Sequence, residues 1–222
     1  MEIKKAFYLF SILLLSALSC RAQTKSVDNK ELVATKNADL LSEFVLSNGD
    51  RISIQSDESI TKSWLSIDGK KRFDLPFVFG GVYRGQVYEL ELPGLGQFLA
   101  LESSVPGASG LASNVVNVSL VPLGSSSLKE PLFFNSFFTG IESVKVDEKD
   151  GITLKVLNLA GQSSKGRLYC ETLFELTTEW KFQPLSVGQN CLLDGDQGLE
   201  KSADCECEKL EVPLVMPSSR IN

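Results

Sequence analysis

From Arg167 to Phe182 the chain alternates with a period of two. Leu168, Cys170, Thr172, Phe174, Leu176, Trp180 and Phe182 fall on one face, and Tyr169, Glu171, Leu173, Glu175, Glu179 and Lys181 on the other. That is the pattern of a strand with one buried side. A helix over Glu171–Trp180 competes, because Leu173, Leu176 and Trp180 also share a helical stripe; the Thr, Tyr and Phe content decides for strand. Strands run about 5–6 residues on average, so a break is expected near Thr177 or Thr178.

The same reading extends along the chain. Glu43–Ser47 and Arg51–Gln55 flank Asn48-Gly49, and Ser63–Ile67 and Lys70–Phe73 flank Asp68-Gly69. Such dipeptides are the strongest short-range hairpin signal, and the Asn48-Gly49 turn is expected to be type I′, with positive φ at both residues. Val87–Leu92 sets Tyr88, Leu90 and Leu92 against Glu89 and Glu91. Gln97–Leu101 is apolar on both faces, Asn114–Val121 alternates again, and Glu142–Val146 and Ile152–Leu157 flank a loop at Asp147–Gly151. Pro106–Ser113 and Gly124–Ser127 have loop composition. The expectation is a mainly β protein: one antiparallel β-sandwich or barrel-like domain over 40–222, with a cysteine-containing C-terminal segment. Residues 20–39 are polar and without period, which predicts a flexible tether.

The N-terminus predicts export. Lys4 and Lys5 precede an uncharged run, Ala6–Leu18, that has the length of a signal-peptide core and is too short to span a membrane. Ala17-Leu18-Ser19-Cys20 resembles the lipobox of bacterial lipoproteins, a likeness confined to the signal region. It implies removal of residues 1–19 and lipidation of Cys20. Arg21 follows that cysteine rather than an aspartate, which favours the outer membrane. Ordinary cleavage after Ala22, giving a periplasmic or secreted protein, is the alternative.

Composition excludes more than it suggests. The chain has no histidine, so no Ser-His-Asp or Cys-His catalysis and no HExxH zinc site can be built within it. A net charge of −6 argues against nucleic acid as a partner.

Five constellations remain. With Cys20 lipidated or removed, Cys170, Cys191, Cys205 and Cys207 are left, an even number that suggests disulfides in an exported protein. A Cys205–Cys207 bond would close a strained small ring, so each is expected to bond to Cys170 or Cys191. A metal held by four thiolates is the alternative, but the spacing does not suit a zinc ribbon. Asp194-Gly195-Asp196-Gln197-Gly198 offers alternate carboxylates for calcium at Asp194 and Asp196, although the EF-hand pattern fails at Gly198 and at Cys205; a solvated turn competes. Ser126-Ser127-Leu128-Lys129 matches S-x-x-K without its companion motifs. Glu89 with Glu91, and Glu171 with Glu175, are strand-face carboxylate pairs, the first near glycosidase spacing; a wet strand face looks the same. Trp64, Trp180, Tyr83 and Tyr88 are candidates for a sugar-stacking platform, while Phe133, Phe134, Phe137 and Phe138 read as core.

These readings converge on an exported, lipid-anchored cell-envelope protein acting as a non-catalytic binding or structural module. Its partners would be the membrane, through the anchor, and an envelope protein or glycan. A carbohydrate-binding β-sandwich and a carboxylate-only hydrolase are the alternatives. No cofactor beyond calcium is expected.

Overall fold

The computed structural model describes residues 25–38, 40–59, 62–75, 85–104, 113–123, 130–146, 151–195, 198–205 and 207. Within them lie sixteen strands: β1 (Lys25–Ser26), β2 (Asn29–Glu31), β3 (Lys36–Ala38), β4 (Leu41–Val45), β5 (Arg51–Ser56), β6 (Ser63–Ile67), β7 (Lys70–Leu75), β8 (Gln86–Leu92), β9 (Gly96–Ser104), β10 (Val115–Pro122), β11 (Leu132–Phe137), β12 (Val144–Val146), β13 (Ile152–Ser163), β14 (Gly166–Leu176), β15 (Phe182–Gly195) and β16 (Gly198–Ser202). A short 3-10 turn covers Ile141–Ser143. The protein is mainly β, as the sequence predicts.

Three antiparallel sheets form. Their orders are β1-β12-β13-β14-β15-β16, β11-β10-β9-β8-β2 and β3-β4-β5-β6-β7. The second sheet lies between the other two, and its strands explain why. In β9, Phe98 and Ala100 point into one core while Leu99 and Leu101 point into another; in β11, Phe134 and Phe133 divide the same way. A sheet buried on both faces needs apolar residues at successive positions rather than at alternate ones, which is what Gln97–Leu101 and Leu132–Phe134 supply. The first core is completed by Ile152, Leu154, Val156, Phe174 and Leu176 of the six-stranded sheet. The second is completed by Phe44, Ile52, Ile54 and Leu65 of the remaining one. Val87, on the same side of β8 as Glu89 and Glu91, is buried in that second core, so this face is a docking face and not the open wet face the alternation predicted.

The stretch 20–39 is not simply a tether. Residues 25–38 contribute one short strand to each sheet: β1 pairs with β12, β2 with β8 and β3 with β4. Val27, between β1 and β2, is buried in the first core, and Leu32, between β2 and β3, in the second. Three strands of two or three residues leave no period to read. Residues 20–24 lie outside the described residues.

The turns refine the expectations. At Asp68-Gly69 both residues have positive φ (49° and 74°), the type I′ geometry. At Asn48-Gly49 only Gly49 does (93°). There the Gly49 N–H donates to Leu46 O at 3.0 Å, and the Asp50 N–H donates to Asn48 Oδ1 at 3.0 Å. The result is a turn in which glycine alone is left-handed, not type I′. The long alternating run breaks where expected: Thr177–Lys181 is a turn, with the Thr177 N–H on Lys181 O at 2.9 Å, and β15 begins at Phe182.

The first two sheets meet at a corner where β11 runs beside β13. Ser136 Oγ, buried, accepts the Leu157 N–H at 2.9 Å and lies 2.7 Å from Thr139 Oγ1. Ser136→Ala leaves that buried amide without its partner and is expected to lower unfolding stability by about 1–3 kcal/mol. A urea midpoint unchanged from wild type would refute the assignment.

Candidate functional site

Two places concentrate reactive groups. The first lies on β14 and β15, where Cys170 stands directly opposite Cys191. The chain leaving β16 returns across both strands and brings Cys205 and Cys207 onto them. Cys170 bonds Cys207, and Cys191 bonds Cys205, each with a Cα–Cα distance of 5.5 Å. No bond joins Cys205 to Cys207, as ring strain predicts. Leu168, Leu193 and Ala160 pack around the four sulfurs in a cluster separate from the two main cores. The bridges therefore cover a portion of the six-stranded sheet outside the cluster shared with the middle sheet. The opposite side of β14 is covered by Phe137 and Phe138, whose rings lie 5.3 and 5.2 Å from that of Tyr169.

The second place is one end of the first core. Glu31 on β2 pairs with Tyr88 on β8, and Gln86 pairs with Glu102 on β9, so all four share one face of the middle sheet. Tyr88 OH donates to Gln86 Oε1 at 3.0 Å. The 3-10 turn closes over them: the Ile141 N–H donates to Glu102 Oε1, and the Gly140 N–H to Glu142 Oε1 at 3.0 Å. Gly140 sits so close to the Glu102 carboxylate that a Cβ there would have to push it aside. Among the described residues none of these three carboxylates has a cationic partner. Glu102 is 8% exposed, and its pKa is raised chiefly by burial, with Glu142 and Glu31 adding to the rise and the Ile141 hydrogen bond opposing it. Burial and the same carboxylates push Tyr88 up to about 12.

A buried carboxyl with a raised pKa is the chemistry of a proton donor. In this chain its oxygen is held by backbone, so it pins β9 to the turn. Its folded-state pKa exceeds the unfolded one. Its contribution is thus favourable below the ordinary carboxylate range and is lost as pH rises through the folded value. Glu102→Gln stays neutral and keeps an oxygen for Ile141. It should melt above wild type at about pH 7, with the gap closing toward about pH 4. A gap that does not depend on pH would assign the effect to packing.

No protein-family model, curated protein or solved structure matches this chain.

The carboxylates singled out from sequence lie elsewhere. Glu89 accepts from Ser47 Oγ at 2.6 Å and from the Ser47 N–H at 3.0 Å, tying the middle sheet to the β4–β5 turn. Glu91 is exposed. Glu171 accepts from Asn190 Nδ2 at 2.9 Å and faces Lys155 Nζ at 3.4 Å, and Glu175 is four residues further along the same strand, beyond Leu173. Trp180 is 6% exposed, stacks on Phe98 at 4.6 Å and donates to Glu130 O at 2.5 Å, so it belongs to the core and not to a sugar platform. Trp64 is half-buried, with its Nε1 on Gln55 Oε1 at 3.1 Å. Asp194 lies at the end of β15 opposite Arg167. Cys20, Tyr83, Ser126–Lys129 and Asp196 lie outside the described residues. Sequence reasoning missed the Glu31–Tyr88–Glu102–Glu142 corner because it joins four separate elements. The one local signal was a glutamate, Glu102, directly following the doubly apolar run of β9.

Proposed function

We propose that the chain is exported, anchored through a lipid on Cys20, and serves the cell envelope as a non-catalytic binding or structural module whose partner is an envelope protein or glycan. The observation that carries this reading is the pair of bridges Cys170–Cys207 and Cys191–Cys205. Structural disulfides persist in oxidising compartments and are rare in the cytosol, which agrees with the export signal and with the lipobox-like residues ending at Cys20. The non-catalytic part is supported by how the carboxylates are engaged: Glu89 on Ser47, Glu171 on Asn190 and Lys155, and Glu102 on the Ile141 amide.

The test is the intact mass of the protein extracted from its native cells without reductant. The expected mass is that of a chain starting at Cys20, plus acyl groups, less the hydrogens lost to two bridges. A lipid-free chain starting at Gln23 would overturn the anchor while keeping export. An uncleaved chain with free thiols would overturn both.

A further inference from the structure

We infer that Cys170, Cys191, Cys205 and Cys207 form a thiol–disulfide exchange unit with two interchangeable pairings, entered through Cys205. The sulfurs of Cys170, Cys205 and Cys207 all lie within 4.8 Å of one another, although Cys205 belongs to the other bridge. Each C-terminal sulfur also stands beside the strand that carries the other's partner. Cys205 is bonded to β15 but lies 3.9 Å from Tyr169 O on β14. Cys207 is bonded to β14 but lies 3.9 Å from Asn190 O on β15. Cys170 and Cys191 face each other in register, and one residue separates Cys205 from Cys207. Swapping partners therefore asks for movement of two neighbouring side chains and none of the strands. Access is ordered as well: Cys205 is partly exposed, whereas Cys170, Cys191 and Cys207 are buried.

The chemistry balances with a small dithiol as reductant. One of its thiolates attacks Cys205 Sγ, the bond to Cys191 breaks, and Cys191 leaves as thiolate. The second thiol then displaces Cys205, and the reductant departs as its own cyclic disulfide. The Cys205 thiolate attacks Cys170 Sγ. The Cys170–Cys205 bond forms, the Cys170–Cys207 bond breaks, and Cys207 leaves as thiolate, with no net change of oxidation state in this step. A disulfide oxidant can then join Cys191 to Cys207 by taking two electrons and two protons. Partial reduction thus moves the last point at which the chain is covalently tied to the sheet from Cys207 back to Cys205.

The test uses the full chain with both bridges formed. It is treated anaerobically with one molar equivalent of dithiothreitol at about pH 8, where thiolate is abundant. Samples are quenched in acid at intervals, alkylated, cleaved after Glu206 so that Cys205 and Cys207 part, and mapped by mass spectrometry. The expected result is a Cys170–Cys205 peptide pair, with Cys191 and Cys207 alkylated, growing as the native pairs decline. One-bridge species that retain only native pairs at every time would overturn the inference. Cys191→Ser supplies a second test without reductant, because it leaves Cys205 free beside the remaining bridge. It should contain Cys170–Cys207 and Cys170–Cys205 in a ratio within about tenfold of one, whereas Cys170–Cys207 alone would count against exchange. If that variant fails to fold, the time course on the native chain decides.

Discussion

Trp180→Ala is expected to cost about 3–5 kcal/mol of unfolding stability, the range for deleting a buried large aromatic. The ring lies flat on Phe98 at 4.6 Å with 15° between the planes, and its indole N–H holds Glu130 O at 2.5 Å. It thereby joins the β14–β15 turn, the middle sheet and the start of β11. Trp180 has a left-handed backbone, φ 61°. Alanine keeps that conformation, so the loss reads packing and the hydrogen bond rather than relief of the turn. Trp180→Phe keeps much of the stack and loses the N–H, and should fall between the two. Urea midpoints under non-reducing conditions measure all three. A change of less than about 1 kcal/mol for Trp180→Ala would return the ring to the surface and revive a sugar-stacking role.

Removing the Cys170–Cys207 bridge by the double change Cys170→Ala and Cys207→Ala is expected to cost about 3–4 kcal/mol. The bridge spans 37 residues of sequence, and in the chain-entropy model a loop of this size lies between the values for short and long loops. The inner Cys191–Cys205 bridge, spanning 14 residues, already shortens the free loop and keeps the figure from being larger. The cavity left at Cys170 adds to the loss, since that residue is fully buried with Leu168 and Leu193. Thermal unfolding of the double variant beside the wild type gives the number. Equal melting temperatures would show that packing alone covers this part of the sheet.

Much of the fold was legible because hairpins are local. Ser63–Ile67 matches β6 residue for residue, and the break near Thr177 marks the β14–β15 turn. The doubly apolar Gln97–Leu101 held the clue to a three-layer body, but a run of five residues reads equally well as a single buried strand. The partner that buries its second face is supplied by Phe44, Ile52, Ile54 and Leu65, far away in sequence. β11 went unread because Phe133 and Phe134 break the period of two by serving opposite cores. Asn48-Gly49 departed from type I′ because the Asn48 side chain binds the Asp50 amide, a local bond that competes with the left-handed conformation at Asn48. The cysteine framework could be narrowed by ring strain to two pairings, and only the register of Cys170 against Cys191 and the path of the returning chain chose between them.

The N-terminal lacing through all three sheets bears on how an anchored molecule would stand. With β1 beginning at Lys25, five residue steps lie between that strand and Cys20. Those steps reach at most about 18 Å when fully extended. A lipid on Cys20 would therefore keep the β1–β12 edge of the six-stranded sheet close against the bilayer, like a shield bolted down at one rim rather than a pennant on a pole. Traction on such an anchor would arrive first at β1, held by two residues, and then sheet by sheet at β2 and β3, so a force sufficient to pull out the first strand would begin to unlace the layers in order.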